Sequence, residues 1–458
     1  MGASIVTDEL KPALVLDLGE SARQLRFAPI AIGGGRHGFL AVHSGCSEVD
    51  PYHRMFFLPT DTLKLTAFSA DGKRLWRRDL GPGVVPGVWF CPVLPFDLNG
   101  DGVDEIYFVD NADPEHALDY ESYILRSLDA AEGAALGNRP WPMIDFRQDM
   151  SRCYRNFIHG AFSSGRPRLI TCQGTYGSMQ LQCSDEQMGQ VWSRKIAPDD
   201  PAARGSHMFP IVDIDADGRD ELLWGERCID VDTGADIWIG DEAGWHGHSD
   251  VIQPTLDSAS GGWCVYTCRE AGPPRGAVVM YDRRGRELWG RRGMGHMDMG
   301  WTARLGPAGE HLCYALQIGD KTAGPRGFQR SGNVEYLFDM GGQPLDVKFP
   351  LYQSLPVDFN GDGLHELTYI GGERGGLVVD RTGRPMHRLA GSPAYGGKLL
   401  DVPGEQIVTC DGGGKVRIYA CPDAKDSPAA VARYQHPYYD ACLRVWAVGY
   451  NRTNLGGL

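Results

Sequence analysis

The 458-residue chain is expected to be all-β, a single propeller of seven or eight four-stranded blades. Three observations lead there. Gly 61 and Pro 29 together make about a fifth of the chain, above the usual ~12%, and they are spread along it. That demands many short elements and many turns, and argues against a helical bundle. Long helical periodicity is absent. Two internal signals recur with one period, which outranks any local reading.

The first signal is a strand, a turn with Gly, and a second strand often carrying Trp. It reads SADGKRLWRRDL (69–80), SDEQMGQVWSRKI (184–196), VDTGADIWIG (231–240) and YDRRGRELWGRR (281–292). Weaker copies are LDAAEGAALG (128–137), FDMGGQPLDVKF (338–349) and DRTGRPMHRLA (380–390), with a looser eighth hairpin over 415–434. Each reads as the outer hairpin of a blade. The second signal is an acidic loop feeding an apolar strand, starting at Asp97, Asp213 and Asp358. These starts lie about two and three repeats apart, so both signals describe one ring. Residues 1–458 are therefore expected to form one domain, with 1–12 a flexible N-terminus.

Composition narrows the partners. Hydrophobic residues are 42% and aromatics 10%, enough for a sizeable core. A net charge of −14 repels nucleic acid unless a local basic groove exists, so no nucleic-acid partner is expected. No apolar run approaches the length of a membrane helix, so no membrane span is expected. The start, MGASIVTDELKPALVLDLG, lacks a basic and apolar leader. This predicts a cytoplasmic protein, or a secreted one whose leader has been removed. Twelve scattered Cys show no Cys-x-x-Cys pair. Cys264 and Cys268 alternate onto one face of a strand and read first as small core residues, second as a disulfide.

The acidic loops place oxygen ligands at positions 1, 3 and 5, Gly at 6 and a carboxylate at 9. The sets are Asp97, Asn99, Asp101 and Glu105; Asp213, Asp215, Asp217 and Glu221; Asp358, Asn360, Asp362 and Glu366. Alternate residues converge on one point at such a turn, which suits Ca²⁺; an Asx turn without metal is the alternative. Either role is structural, because catalysis does not need three copies. A second constellation holds His207, His248, Asp250 and Glu270, which inner strands of neighbouring blades can bring together around one metal. That donor set suits several divalent metals.

The stretch from about 155 to 310 resembles the catalytic propeller of the rhamnogalacturonan lyases. The residues are 166–176 (RPRLITCQGTY), Gly205-Ser-His207, the loop from Asp213, Gly247-His-Ser-Asp250, the Glu270 strand, Glu287-Leu-Trp-Gly and Asp298-Met-Gly300. The resemblance implies calcium ligation by His207, His248, Asp250 and Glu270. The chain is shorter than those lyases, lacks an added sandwich domain, and reads Asp298-Met-Gly-Trp-Thr-Ala where the family carries an Arg-rich segment. Segments 50–68 and 86–102 look more like smaller single-domain relatives. Those act on L-rhamnose linked to glucuronic acid, some as lyases and some as α-L-rhamnosidases using a histidine; ulvan lyases share the architecture. The implied partner is an acidic rhamnose-containing polysaccharide or oligosaccharide. The implied activity is a polysaccharide lyase acting at L-rhamnosyl–D-glucuronate linkages by β-elimination. An α-L-rhamnosidase and a non-catalytic glycan-binding propeller are the alternatives.

Elimination next to a carboxylate needs a cation on that carboxylate, a base for the C5 proton and an acid for the leaving oxygen. His suits base and acid near neutrality. Arg binds carboxylate bidentately. His116 or His159 is expected as base/acid and Arg155 and Arg204 as carboxylate clamps, with Tyr154 and His53 as further catalytic candidates. Period two places Arg155, Phe157 and His159 on one face. His246, His296 and Trp245 are expected to bind substrate.

Overall fold

The computed structural model describes residues 9–54, 56–142, 149–258, 260–324, 327–445 and 457–458. Most of the expected flexible N-terminus, residues 1–8, lies outside them. By Leu10 the chain is already bonded to its neighbour, donating its N–H to the Arg388 carbonyl at 2.8 Å.

Eight four-stranded antiparallel sheets follow in chain order. Blades 1 to 7 span residues 24–79, 93–140, 156–196, 211–239, 248–294, 297–345 and 354–388. Blade 8 takes three strands from 392–419 and its outermost strand, Leu14–Asp17, from the other end of the chain. This corrects the expected eighth hairpin over 415–434. Only Lys415–Tyr419 of that segment is strand, and Pro428–Tyr434 is a helix (α1) with Ser427 accepting the Ala430 N–H at its start. The eighth outer strand comes from the N-terminus because pairing chain ends in one sheet closes the ring and removes an open edge. Among the described residues no helix is long and apolar enough to cross a membrane.

The Trp-bearing hairpins explain the sequence repeat. Trp76 on the outer strand of blade 1 lies against the Gly133 turn of blade 2 and donates its indole N–H to the Ala130 carbonyl at 2.8 Å. Trp192 does the same to Gly234 and Val231 O, Trp238 to Gly285 and Arg283 O, and Trp289 to Gly342 and Met340 O. A Cβ at Gly133 would lie 2.6 Å from the Trp76 ring, and its φ of +69° is left-handed. Only Gly meets both demands. Each Trp–Gly pair thus links neighbouring blades at the rim. Cys264 and Cys268 are both free thiols buried in blade 5.

Up-and-down strand order sorts the loops onto two faces. Connections from the first to the second strand of a blade, which include all three acidic loops, lie on one face. Connections from second to third strand, and from one blade to the next, lie on the other. The acidic-loop face is covered by α1 and by a second helix, α2 (Pro437–Arg444), packed against the inner strands of blades 1, 2 and 4. Tyr438 meets Trp263 of blade 5 with ring centroids 5.1 Å apart.

Each acidic loop is closed by its own backbone. Asp97, Asp213 and Asp358 accept the N–H groups of Gly102, Gly218 and Gly363 at 2.9, 2.9 and 3.0 Å. Glu105, Glu221 and Glu366 accept from Leu98, Ile214 and Phe359 at 2.9, 2.9 and 3.0 Å. The eighth loop residue then clasps the preceding blade. Asp104 accepts the Ala31 N–H (2.7 Å) and returns its own N–H to the Ala31 carbonyl (3.0 Å). Asp220 repeats this with Phe162 (2.6 and 2.8 Å). His365 repeats it with Arg304 (2.9 and 3.2 Å). The loops differ at position 3. Asn99 and Asn360 donate to Glu105 and Glu366, whereas Asp213, Asp215 and Glu221 bring three ligand oxygens within 4.8 Å of one another.

Candidate functional site

A cavity of about 460 Å³ opens on the face opposite the acidic loops. Loops of blade 1 and of the blade 2–3 connection supply Asp50, Tyr52, His53, Asp149, Arg152 and Arg155. Loops and strand ends of blades 3 to 6 supply Tyr176, His207, Glu270, His296 and Asp298.

The constellation expected from sequence is assembled here. His207 comes from the blade 3–4 connection, His248 and Asp250 from the first strand of blade 5 (His248–Leu256), and Glu270 from the end of its second (Trp263–Glu270). One ligand atom from each lies within 4.8 Å of the others. The tautomer of His248 follows from its neighbours. Its Nδ1 lies 3.1 Å from the Arg204 carbonyl, which only accepts, so Nδ1 carries the proton. The Nε2 lone pair is then left, buried without a hydrogen-bond partner and 3.4 Å from Asp250 Oδ1. A lone pair facing a carboxylate oxygen is repulsive unless a proton or a cation lies between them. Burial pushes Asp250 up to about 7 and holds His248 down to about 4. Two buried imidazoles and two carboxylates aimed at one point therefore fit a divalent cation.

His296 adds to this cluster. Its Nε2 is 3.4 Å from Asp298, 3.5 Å from Asp250 and 3.6 Å from Glu270. Burial lowers its pKa, but hydrogen bonds to Asp250 and Asp298 outweigh that and raise it to about 10. Arg155 is the main buried cation of the cavity. It is 4% exposed, lies 4.4 Å over the Trp89 ring and 5.5 Å over Tyr176, and donates Nε–H to Ser151 O at 3.0 Å. Its Nη1 is buried without a hydrogen-bond partner, and Asp50 is 3.8 Å from Nη2. A guanidinium held so, with a donor left over, is ready for an incoming carboxylate.

Residues 152–372 match the sequence profile described as rhamnogalacturonan lyase family 11, C-terminal domain. The chain is 25% identical over 342 residues to rhamnogalacturonan exolyase YesX of Bacillus subtilis (strain 168), covering 67% of this chain and 54% of that protein. It is 25% identical over 285 residues to rhamnogalacturonan endolyase YesW of the same organism, covering 54% and 44%. The solved structure of Bacillus licheniformis rhamnogalacturonan lyase PL11 superposes with a TM-score of 0.76 at 19% identity, over 98% of this chain and 81% of that one. Exotype YesX superposes at 0.73 and 18% identity, over 96% and 80%.

The chain is a rhamnogalacturonan-lyase-like β-propeller. It spans about half the length of the curated relatives it matches.

Not every expected residue of this lyase-like propeller reaches the cavity. His53, Arg155, His207, Glu270 and His296 line it. His116 does not; its imidazole is 68% exposed and hydrogen-bonded to Asp113 at 2.6 Å. His159 is buried on the first strand of blade 3 (Asn156–Ser163) beside Phe209, and burial holds it down to about 3. It shares a face with Phe157, as period two requires, but Arg155 precedes the strand and turns into the cavity. Arg204 is 4% exposed, and its guanidinium donates to the Ala197 carbonyl at 2.6 Å. Its backbone, not its side chain, serves the site. Tyr154 packs among Phe90, Tyr120 and Tyr123 and donates to Leu118 O. Trp245 is 3% exposed under Arg269 and donates to Ser249 at 3.1 Å, while His246 is exposed and outside the cavity lining.

Tyr176 and Asp298 were missed as site residues, although both stand in segments that carry the family resemblance. Tyr176 follows Gly174-Thr at the end of a strand, and its φ of +66° is unusual for an aromatic residue. A polar aromatic after such a turn, on the loop face that also carries His207, was the available signal.

Proposed function

We propose that this propeller is a polysaccharide lyase cleaving an acidic rhamnose-containing polysaccharide by β-elimination, at L-rhamnosyl–D-glucuronate linkages. The observation that carries this reading is the pairing, in one cavity, of the His207/His248/Asp250/Glu270 cluster with the buried, under-donated guanidinium of Arg155. The names of YesX, YesW and the PL11 lyase support the lyase and the acidic rhamnose-containing substrate, not the glucuronate linkage. The hydrolase and binding-module readings are not favoured.

In this reading His207, His248, Asp250 and Glu270 hold Ca²⁺ or another divalent cation, and the acidic loops hold structural Ca²⁺. A bound cation at the cluster supplies positive charge that acidifies the C5 proton of a uronate. Arg155 holds the uronate carboxylate through its Nη donors. His53, exposed at the cavity mouth, takes the C5 proton on its imidazole. The C4–O bond then breaks, its electron pair leaves with the rhamnosyl oxygen, and that oxygen is protonated by the imidazolium or by water. The product is a rhamnose-terminated fragment and a C4=C5 unsaturated uronate.

The test is a screen of rhamnose–glucuronate and rhamnose–galacturonate polymers, read by ultraviolet absorbance of the conjugated uronate and by reducing sugar. Absorbance that rises on the glucuronate polymer supports the reading. Absorbance on the galacturonate polymer alone overturns the linkage, and reducing sugar without absorbance overturns elimination.

A further inference from the structure

We propose that Tyr176 is the positioning residue of the cluster: its phenol fixes His207 in the Nε2–H tautomer and so turns the Nδ1 lone pair toward the cation position. This rests on the metal reading above, although its first measurement does not. The phenol oxygen is 2.8 Å from Glu270 Oε2 and 3.2 Å from His207 Nε2. A phenol has one proton to give. The shorter contact takes it, so Tyr176 donates to Glu270 and keeps lone pairs for an N–H. His207 must then present Nε2–H to the phenol. Its Nδ1 lone pair is left facing Asp250 Oδ1 at 3.4 Å, a contact that needs a cation, or in the metal-free protein a proton on that carboxyl, between the two.

The same side chain reaches a third member of the cluster. The Tyr176 ring stacks on His248 with centroids 4.1 Å apart and planes at 29°. Thr175, one residue earlier, bonds His248 Nδ1 at 2.8 Å through its hydroxyl. Both residues are tied to the Arg204 carbonyl, Tyr176 through its N–H at 3.0 Å and Thr175 through Oγ1 at 2.8 Å. The left-handed backbone of Tyr176 is thus held by its surroundings, and it aims the phenol into the cluster. Outer partners of this kind commonly fix the tautomer of a ligating His and contribute 10- to 100-fold to metal affinity.

The experiment uses the metal-free protein and two variants. Long-range proton–nitrogen NMR on ¹⁵N-histidine protein, with His207→Ala to assign the signals, reads the tautomer of His207. Wild type is expected to show Nε2–H. In Tyr176→Phe, which keeps the ring and the fold, the signal is expected to shift to a tautomer mixture. In Glu270→Gln, the new amide donates to the phenol and turns its proton toward His207, so the Nδ1–H form is expected to dominate. Binding of Co²⁺ as a visible probe, limited to the absorbance lost in His207→Ala, is expected to weaken about 10- to 100-fold in Tyr176→Phe with thermal unfolding unchanged. An unchanged His207 tautomer in both variants overturns the role of Tyr176. Absence of any His207-dependent Co²⁺ signal in wild type overturns the metal reading instead, while the tautomer measurement still reports on Tyr176.

Discussion

On the acidic-loop face, Asp97 and Asp213 spend both oxygens on backbone N–H groups of their own loops, and Asp358, Asp104 and Asp220 each spend one on the loop or the neighbouring blade, with Oδ1 of Asp104 and of Asp358 left over. On the cavity face, Arg155 keeps a buried donor over, and His248 keeps a buried lone pair over. Both faces are built from the same repeat, and both carry acid and amide chemistry. The difference is where the unsatisfied groups lie: single oxygens of Asp104 and Asp358 in separate blades on the first face, a set converging on one cavity on the second. Paired polar groups hold blades together, whereas orphaned ones that converge on one cavity, held rigidly and buried, are poised for something from outside. Mutations on the first face should therefore move stability, and mutations on the second should move activity.

The largest effect is expected at Arg155. Arg155→Lys keeps one charge but loses the planar fork that rests between Trp89 and Tyr176. A fall in kcat/KM of roughly 10²- to 10³-fold is expected, with little change in unfolding temperature. Initial rates of uronate absorbance and a thermal scan measure both. A stability loss with full activity would erase the distinction between the faces.

Calcium should act chiefly on the other face. Burial, reinforced by the neighbouring Asp charges, pushes Glu221 and Glu366 up to about 8. Without metal, the folded chain then binds more protons than the unfolded chain between their ordinary value, about 4.3, and about 8. Stability should accordingly fall as pH rises through that window in chelator. A cation favours the ionised carboxylates, so Ca²⁺ should flatten the slope and add about 2.7 kcal/mol at a hundredfold excess over Kd. Unfolding temperatures at pH 5 and 8, with and without Ca²⁺, check this; identical curves in both conditions would count against the calcium loops.

Asp220 tests the clasp alone. Asp220→Ala leaves the Phe162 N–H without its 2.6 Å acceptor, at a cost of about 1–2 kcal/mol. Urea unfolding should register the loss while kcat/KM stays within twofold. A matching loss of activity would mean that the two faces are mechanically coupled.

How much of this was legible beforehand follows from the same contrast. The hairpins were legible because Trp76, Trp192, Trp238 and Trp289 each need a Gly in the next turn, which stamps a local pattern on the sequence. The His207 to Glu270 cluster was legible because a propeller brings the inner strands of neighbouring blades together, and the resemblance pointed to the same four residues, although they lie on three separate elements. The C-terminal helix over 428–434 was read as a hairpin because the real eighth outer strand is contributed from the far end of the chain. His159 was misplaced because alternation fixes a face of a strand but not whether that face meets the cavity or a neighbouring blade. Tyr176 escaped because its role depends on a left-handed turn and on residues 31 and 94 positions away.

The smallest effect is expected at His116, a residue whose chemistry looked right from sequence. Its imidazole is held by Asp113 at 2.6 Å, and that hydrogen bond raises its pKa. It stands in a second-to-third-strand loop, on the same face as the cavity, but outside the cavity lining. A solvent-facing imidazole with its partner already chosen, outside the cavity lining, is a poor base for a carbon acid in a neighbouring pocket. His116→Ala should leave kcat/KM within twofold across the pH range, measured against His53→Ala, which should lose most of it. If the two variants changed places, proton abstraction would have to occur outside the cavity, and the division between paired groups and orphaned ones that converge on one cavity would no longer locate the chemistry.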